Sequence, residues 1–328
     1  MKSKNPVISV CIPLFETEMF LAQCLESVLL QDYDDFEVII VNDASYEKDE
    51  HGHKAKKIVC IAEKSARKQR KERGLQPVEI RYIEHHENRG LIEVRRTLVH
   101  ESKGSYITML DSDDVMEAGA LKAFAANLGP DIIHGTSTAG TFSEDGSFIP
   151  SKLNRYGAIF YGRIEGREIF RRWLINNEYT SNTWGKLIKR ELFESAYENI
   201  PYTECNMAED VLLFFFISQH AQSYLGIKNK VYRYRINTGM SSARKIDSLT
   251  RWKMICSTAG VFTILSSCTE NLQPDEVEKL RSLTRYYLAN NIKQMQEAVI
   301  PELQPQARKL LCDYWGESFV NRVEEAMS

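Results

Sequence analysis

The apolar run Tyr106-Ile107-Thr108-Met109-Leu110 stops abruptly at Asp111-Ser112-Asp113-Asp114. A strand end carries one acid cheaply. Three acids within four positions repel one another unless a divalent cation or a charged ligand sits among them. In open α/β sheets ligands gather outside the carboxyl ends of the strands, which is where these acids would project. The plainer alternative is an acidic turn in which Asp114 starts a helix over residues 116–128.

The segments before this run decide the fold class. Val7-Ile8-Ser9-Val10-Cys11-Ile12-Pro13 is a β-rich run closed by proline. Phe20, Leu21, Cys24, Leu25, Val28 and Leu29 recur at helical spacing, and residues 35–41 form a second strand that exits through Asn42-Asp43-Ala44-Ser45. Strand, helix, strand in this order predicts parallel pairing with a right-handed crossover. A third strand is expected at 78–83 and a helix at 91–100, stopped by Lys103-Gly104.

Beyond the acids, a helix over 116–128 and a short strand at 131–134 are expected, then a hairpin excursion over 135–166 with Glu144-Asp145-Gly146 as its turn signal. Further helices follow at 168–175 and 211–218, the latter opened by Glu209-Asp210, whose charges suit a helix start. A strand lies within 224–234 and a loop at 235–242. From about 245 onward the apolar spacing is helical, with breaks near Pro274, Pro301 and Pro305.

Charge and composition exclude several classes. A net charge of −3 argues against a surface built for nucleic acid. The seven cysteines are scattered without a C-x-x-C pair, which suits reduced thiols and a cytoplasmic setting. The N-terminus runs straight into a strand, so no signal peptide is expected, and the longest wholly apolar run, 211–217, is too short to span a membrane. Residues 48–73 hold ten Lys or Arg against four Asp or Glu, a local charge of +6. That stretch is either a solvated helix face or a basic patch for peripheral contact with anionic lipid at the inner membrane face, or for a polyphosphate carrier. His85-His86 is a poor metal pair, because adjacent side chains in a loop seldom converge on one ion.

Taken together, eight segments in order resemble the family 2 glycosyltransferases, inverting enzymes with a GT-A nucleotide-binding fold. They are Ser9–Pro13, Val41–Ser45, Asn88-x-Gly90 with Arg95, Lys103-Gly104-x-Tyr106-Ile107, Leu110–Asp114, Trp184-x-Lys186-Leu187, Glu209-Asp210 and Tyr232-x-Tyr234-Arg235. The resemblance implies an α/β fold, a Rossmann-like, mostly parallel sheet flanked by helices. It divides the chain into a catalytic domain over 1–242, with a nucleotide-binding half 1–115 and an acceptor half 116–242, and a C-terminal helical extension over 243–328 that lies outside the resemblance.

The resemblance also assigns roles. Asp113, with Asp111 as companion, would hold Mn²⁺ or Mg²⁺, a Lewis acid that draws off the charge of a departing diphosphate. Asp43 would accept from a uracil N–H, Pro13, Phe15, Asn88, Gly90, Asp111 and Ser112 would surround the nucleotide, and Arg95 would support the nucleotide or its acidic neighbours. Asp210, beside Glu209, would be the general base for a single inverting displacement. Trp184 would stack on an acceptor sugar or pack in the core. Lys186, Arg233 and Arg235 would clamp the diphosphate, line the acceptor channel or serve structural pairs. The expected partners are a UDP-sugar donor and a glycan or lipid-linked acceptor in cell-surface glycan synthesis, with the C-terminal helices available for self-association. The sequence departs from the family pattern at Glu16, Asn42 and Gly185 and in the long basic segment.

Two other enzyme classes fit poorly. A sugar-nucleotide pyrophosphorylase needs a glycine-rich phosphate loop after its first strand, and Pro13-Leu14-Phe15-Glu16 is not one. No G-x-G-x-x-G follows any strand, which disfavours a dinucleotide oxidoreductase. The non-enzymatic alternative is a sugar-nucleotide-binding or scaffolding protein.

Overall fold

The computed structural model describes residues 5–143, 146–152, 157–236, 238 and 245–327. The turn signal Glu144-Asp145, most of the loop 237–242 and the expected boundary at 242/243 lie outside the described residues. The first half runs β1 (Ile8–Leu14), α1 (Glu18–Leu29), β2 (Phe36–Asn42), α2 (Ala55–Glu72), β3 (Glu79–Glu84), α3 (Leu91–Glu101) and β4 (Tyr106–Met109). The second adds β5 (Val115–Met116), α4 (Ala120–Ala125), β6 (Ile132–Phe142), β7 (Phe148–Pro150), β8 (Gly162–Glu165), α5 (Glu168–Leu174), β9 (Lys186–Lys189), α6 (Arg190–Asn199), α7 (Glu209–His220) and β10 (Ser223–Arg235). Helices α8 (Leu249–Cys256), α9 (Thr258–Ser267), α10 (Pro274–Ala298), α11 (Gln304–Trp315) and α12 (Glu317–Met327) complete the chain.

All ten strands belong to one sheet, ordered β3-β2-β1-β4-β9-β6-β10-β5, with β7 on β6 and β8 on β10. Strands β1 to β4 pair in parallel, and the remainder is mixed, with β6 and β10 parallel and β9, β5, β7 and β8 antiparallel to their neighbours. Every residue of β1, β2 and β4 is buried. Their unbroken apolar runs are therefore the signature of strands covered on both faces rather than of an alternating pattern. One apolar layer holds α1, α2 and α4 on the sheet, and the other is filled by α3, α5, α6 and the almost wholly buried α7.

Several expectations need correction. Residues 116–128 form only the short helix α4, because Val115 and Met116 are drawn into the sheet against Arg233 and Tyr232. The strand expected at 131–134 continues to Phe142, since β10 offers a parallel edge along its whole length. Gly104 does not cap α3 in a left-handed conformation. It lets two segments touch: a Cβ there would lie 2.6 Å from the Ser9 amide nitrogen. The basic segment is not uniformly solvated either. Arg70 is buried on the inner face of α2 and donates to the carbonyls of Leu29, Gln31, Tyr33 and Gln76 and to Asp34.

The amino-terminal end of the sheet is closed by polar groups with no role at the opposite end. The buried Glu37 carboxylate accepts from Ser9 Oγ (2.7 Å), the Lys103 amide (2.7 Å) and Arg81 (2.8 Å). The C-terminal helices carry a small core of their own around Trp252, Leu288, Ile292 and Leu311. They also join the main core through Val261, Phe262, Leu265 and Leu280, and α10 is fastened to α5 by Glu276 and Asp275, which pair with Arg167 and Arg171.

Removing the Arg70 side chain strands several buried acceptors at once, and such losses are large compared with those of an exposed lysine. Arg70→Ala should lower the unfolding free energy by about 3 kcal/mol in urea titrations, whereas Lys68→Ala should change it by less than about 0.5 kcal/mol.

Candidate active site

Strands β1, β2 and β4 end side by side, and their exits carry the polar residues. At the end of β2, Asp43 is buried and accepts from the amides of Arg89 (3.0 Å) and Gly90 (2.9 Å) and from His85 Nδ1 (2.7 Å). Gly90 takes φ +84° to bring its amide there, and a Cβ would press on Asn206. His85 in turn meets Thr97 through Nε2 at 3.0 Å. Both oxygens of Asp43 thus face donors of this chain, so a uracil N–H would share the carboxylate with them. The carboxylate organises the turn between β3 and α3, with the exposed Asn88 against its backbone carbonyl. Pro13 is buried opposite Val41, Phe15 is half-buried at the β1 exit, and Ser112 is tied to Thr17 at 2.6 Å.

The acids after β4 divide into two kinds. Asp114 is satisfied internally: it accepts from the Tyr232 hydroxyl (2.7 Å) and the Arg235 amide (2.6 Å), and burial with its acidic neighbours pushes it well above the carboxylate range. It braces the turn and starts no helix. Asp111 and Asp113 stay partly open. Asp111 Oδ1 accepts from Arg95, and Asp113 Oδ2 accepts from Thr238 at 3.0 Å, which leaves each with one oxygen that no described side chain donates to. Burial pushes Asp111 up to about 6, opposed by Arg95 and reinforced by Asp113 and Asp210. Burial raises Asp113 as well, against the Thr238 hydroxyl.

Arg95 joins these acids to the start of α7. It is 1% exposed and reaches Glu209 (2.9 Å), Asp210 (2.5 Å) and Asp111 (3.3 Å). Ala208, at φ +61°, turns the chain so that both acids enter the first turn of α7 facing this guanidinium. Burial drives Glu209 up to about 8 despite Arg95, with Asp210 adding to the rise. Asp210 is held differently. Its Oδ1 accepts from Arg95 Nη1, from the Thr183 hydroxyl at 2.9 Å and from the Thr183 amide at 3.4 Å, while no described donor reaches Oδ2. Of the two places expected for Arg95, beside the nucleotide or beside its acidic neighbours, the side chain takes the second, inside the protein as the counter-charge of three carboxylates.

The remaining candidates are structural. Trp184 is 6% exposed and stacks on Tyr232 (4.7 Å) and Tyr234 (5.3 Å), so its faces are spent in the core rather than on a sugar. Lys186 is fully buried. It donates to the Asn182 carbonyl, lies 5.2 Å from the Phe214 ring and is pushed down to about 7 by burial, with Asp210 opposing. It cannot line an acceptor channel from there. Arg235 lies over the Phe142 and Phe20 rings and donates to the Asp113 carbonyl and Gln23, and Arg233 pairs with Glu117 at 2.7 Å. Thr183, Thr238 and Tyr232 were not expected at the site. Only Tyr232, in a β-run with alternating tyrosines, left any trace in the sequence, and none of it pointed to a role.

The donor set suits a hard divalent cation. Three carboxylates, Asp111, Glu209 and Asp210, share one buried guanidinium, and Asp113 adds a fourth negative charge beside Asp111, so positive charge is short around Asp111. Among the described residues no three His, Cys, Asp or Glu side chains converge into a cation cage. An ion held by Asp111 and Asp113 would therefore complete its shell with phosphate oxygens and water, as Mg²⁺ commonly does.

Comparison with known proteins agrees with this frame. Residues 9–197 match the model of glycosyl transferase family 2, more than half of the chain. The protein belongs to the family 2 glycosyltransferases. Glycosyltransferase GlyA of Streptococcus pneumoniae is 28% identical over 243 residues, 72% of this chain and 31% of GlyA. The chain spans less than two thirds of the length of several curated relatives it matches, GlyA among them. Among solved structures, S. aureus TarS residues 1–349 in complex with UDP aligns with a TM-score of 0.57 at 18% identity, covering 96% of this chain and 82% of that one. The mannosyltransferase PcManGT from Pyrobaculum calidifontis, in complex with GDP-Man and Mn²⁺, gives a TM-score of 0.51 at 14% identity, covering 95% and 75%. These neighbours establish the GT-A fold.

An Asp111 that holds its proton up to about pH 6 when folded, but only to about 3.9 when unfolded, makes stability fall as pH rises through that window. Asp111→Asn should therefore raise the Tm of the ligand-free protein, by a margin that widens from pH 4 to pH 7. Thermal scans of both proteins across that range check it; a constant margin would assign the strain to another group.

Proposed function

We propose that this chain is an inverting, metal-dependent glycosyltransferase that moves a sugar from a nucleoside diphosphate donor to a hydroxyl of a saccharide or lipid-linked acceptor. The observation that carries this reading is the Arg95 bridge. It gathers Asp111 and Asp210 on one guanidinium and leaves Asp210 Oδ2 open beside acids suited to a cation. Asp113 and Asp111 would hold Mn²⁺ or Mg²⁺, whose charge offsets that developing on the leaving diphosphate. Asp210 takes the acceptor proton as the hydroxyl oxygen attacks C1 and the bond from C1 to the phosphate oxygen breaks. Glu209, raised to about 8, is the poorer base at neutral pH and keeps the Arg95 cluster in balance.

UDP is the proposed nucleotide, supported by the UDP-bound neighbour of the same fold. Because Asp43 is engaged by His85, Arg89 and Gly90, uracil selection would draw on backbone groups near Pro13, Phe15 and Asn88. Relatives named for polysaccharide and teichoic acid biosynthesis support a role in cell-surface glycan assembly. No described helix is long and apolar enough to cross a membrane. Peripheral contact is proposed instead through α2, where Lys57, Ile61, Lys64, Lys68 and Lys71 share one exposed face at helical spacing.

A panel of nucleotide sugars assayed with Mn²⁺ or Mg²⁺ should find one donor that is turned over, and chelation should stop the reaction. Asp210→Asn should lower turnover by about 10²–10⁴-fold with UDP binding retained by calorimetry. Transfer by Asp210→Asn at the wild-type rate would overturn the reading. For the membrane, flotation with anionic liposomes should capture the protein at low salt and lose it at high salt, and reversing Lys57, Lys64, Lys68 and Lys71 to Glu should abolish capture.

A further inference from the structure

Asp210 sits on a helix start, and its aim is set from another element. Thr183 is fully buried and meets Asp210 Oδ1 through both its hydroxyl (2.9 Å) and its amide (3.4 Å). The turn around Thr183 is fixed on every side. Trp184 bridges to Met109 at the end of β4 and stacks on two tyrosines. Gly185 takes φ +69°, its carbonyl accepts from the Gly135 amide, and a Cβ there would strike Ser137 Oγ. Inside the turn, the buried Lys186 ammonium closes onto the Asn182 carbonyl. A turn with this many fixed points restrains its hydroxyl, and an aimed catalytic group needs support of that kind, to within about 0.5 Å.

We infer that Thr183 is a positioning residue that decides which oxygen of Asp210 meets the acceptor. With Oδ1 held by Thr183 and Arg95, Oδ2 is the oxygen presented to the incoming hydroxyl. Without the threonine hydroxyl the carboxylate is free to rotate and offer both oxygens to Arg95. A two-point pair of that kind is strong and would compete with proton abstraction. The proton therefore passes from the acceptor hydroxyl to Oδ2. The acceptor oxygen bonds to C1, and the electron pair of the broken bond leaves with the nucleoside diphosphate. The hydrogen bonds of Thr183 reach Asp210 and neither of the proposed cation-binding residues Asp111 and Asp113, so its loss would act on turnover rather than on donor affinity.

This inference rests on the transferase reading, and the test separates the two. Steady-state transfer would be measured for wild type, Thr183→Ser, Thr183→Val, Thr183→Ala and Asp210→Asn with the donor found by the panel, together with UDP affinity. Thr183→Val and Thr183→Ala should lower kcat about 10–100-fold, the range expected for losing a hydrogen bond to a charged group, with donor KM and UDP affinity within about twofold. Thr183→Ser restores the hydroxyl and should recover kcat to within about twofold of wild type. Should Thr183→Val fail to fold, the comparison of Ser with Ala decides. Equal kcat in Thr183→Ser and Thr183→Ala, or a Val variant as fast as wild type, would overturn the positioning role alone. A wild type that turns over no donor, or an Asp210→Asn variant that is fully active, would overturn the transferase reading itself.

Discussion

A single buried guanidinium ties the end of β4 to the start of α7. Arg95 comes from α3, between the parallel strands β3 and β4, and its partners come from the β4 exit and from the start of α7, nearly a hundred residues apart. Burying an arginine is tolerable only with such partners, because an unpaired charge in that interior costs several kcal/mol. The converse also holds. Without Arg95, Asp111, Glu209 and Asp210 would face one another with no cation between them. The cluster is over-supplied with negative charge even so, a poor arrangement for stability and a good one for receiving a cation together with the phosphates it binds.

Rigidity around that cluster is supplied from behind by groups that never meet a ligand. Tyr232 donates to Asp114 and accepts from the Asp111 amide, Arg235 is caught between two phenylalanine rings while gripping the Asp113 carbonyl, and Thr183 holds one oxygen of Asp210. Each contact comes from the mixed half of the sheet or its connections. The parallel half supplies the ends on which the chemistry is displayed, and the mixed half supplies the brace.

What could be read from the sequence follows this division. Buried parallel strands announce themselves as continuous apolar runs, so β1, β2 and β4 and the acids that end β4 were legible, as were the acids opening α7. The boundaries that failed are those decided by distant partners. Residues 115 and 116 become a strand because β10 is there to pair with, and β6 is long for the same reason. Side-chain surroundings were out of reach for the same reason. Nothing local to Trp184 or Lys186 says that one will lie between tyrosines and the other inside a turn. The donors that meet Asp43, His85 and the amides of Arg89 and Gly90, sit some forty residues away and need the β3–α3 turn to bring them round.

The anchoring of α10 has a bearing on how such enzymes can be recombined. Helix α7, which carries Glu209 and Asp210, packs on α9, and α9 on α10, whose fully buried Glu276 is clasped by Arg167 and Arg171 from the sheet side. The rear of the catalytic helix is thus finished by the tail of the chain. Chimeras that exchange everything past residue 245 would uncover Val261, Phe262 and Leu265 contacts and orphan two arginines, so a viable crossover must carry α9 and the first turns of α10 with the front half.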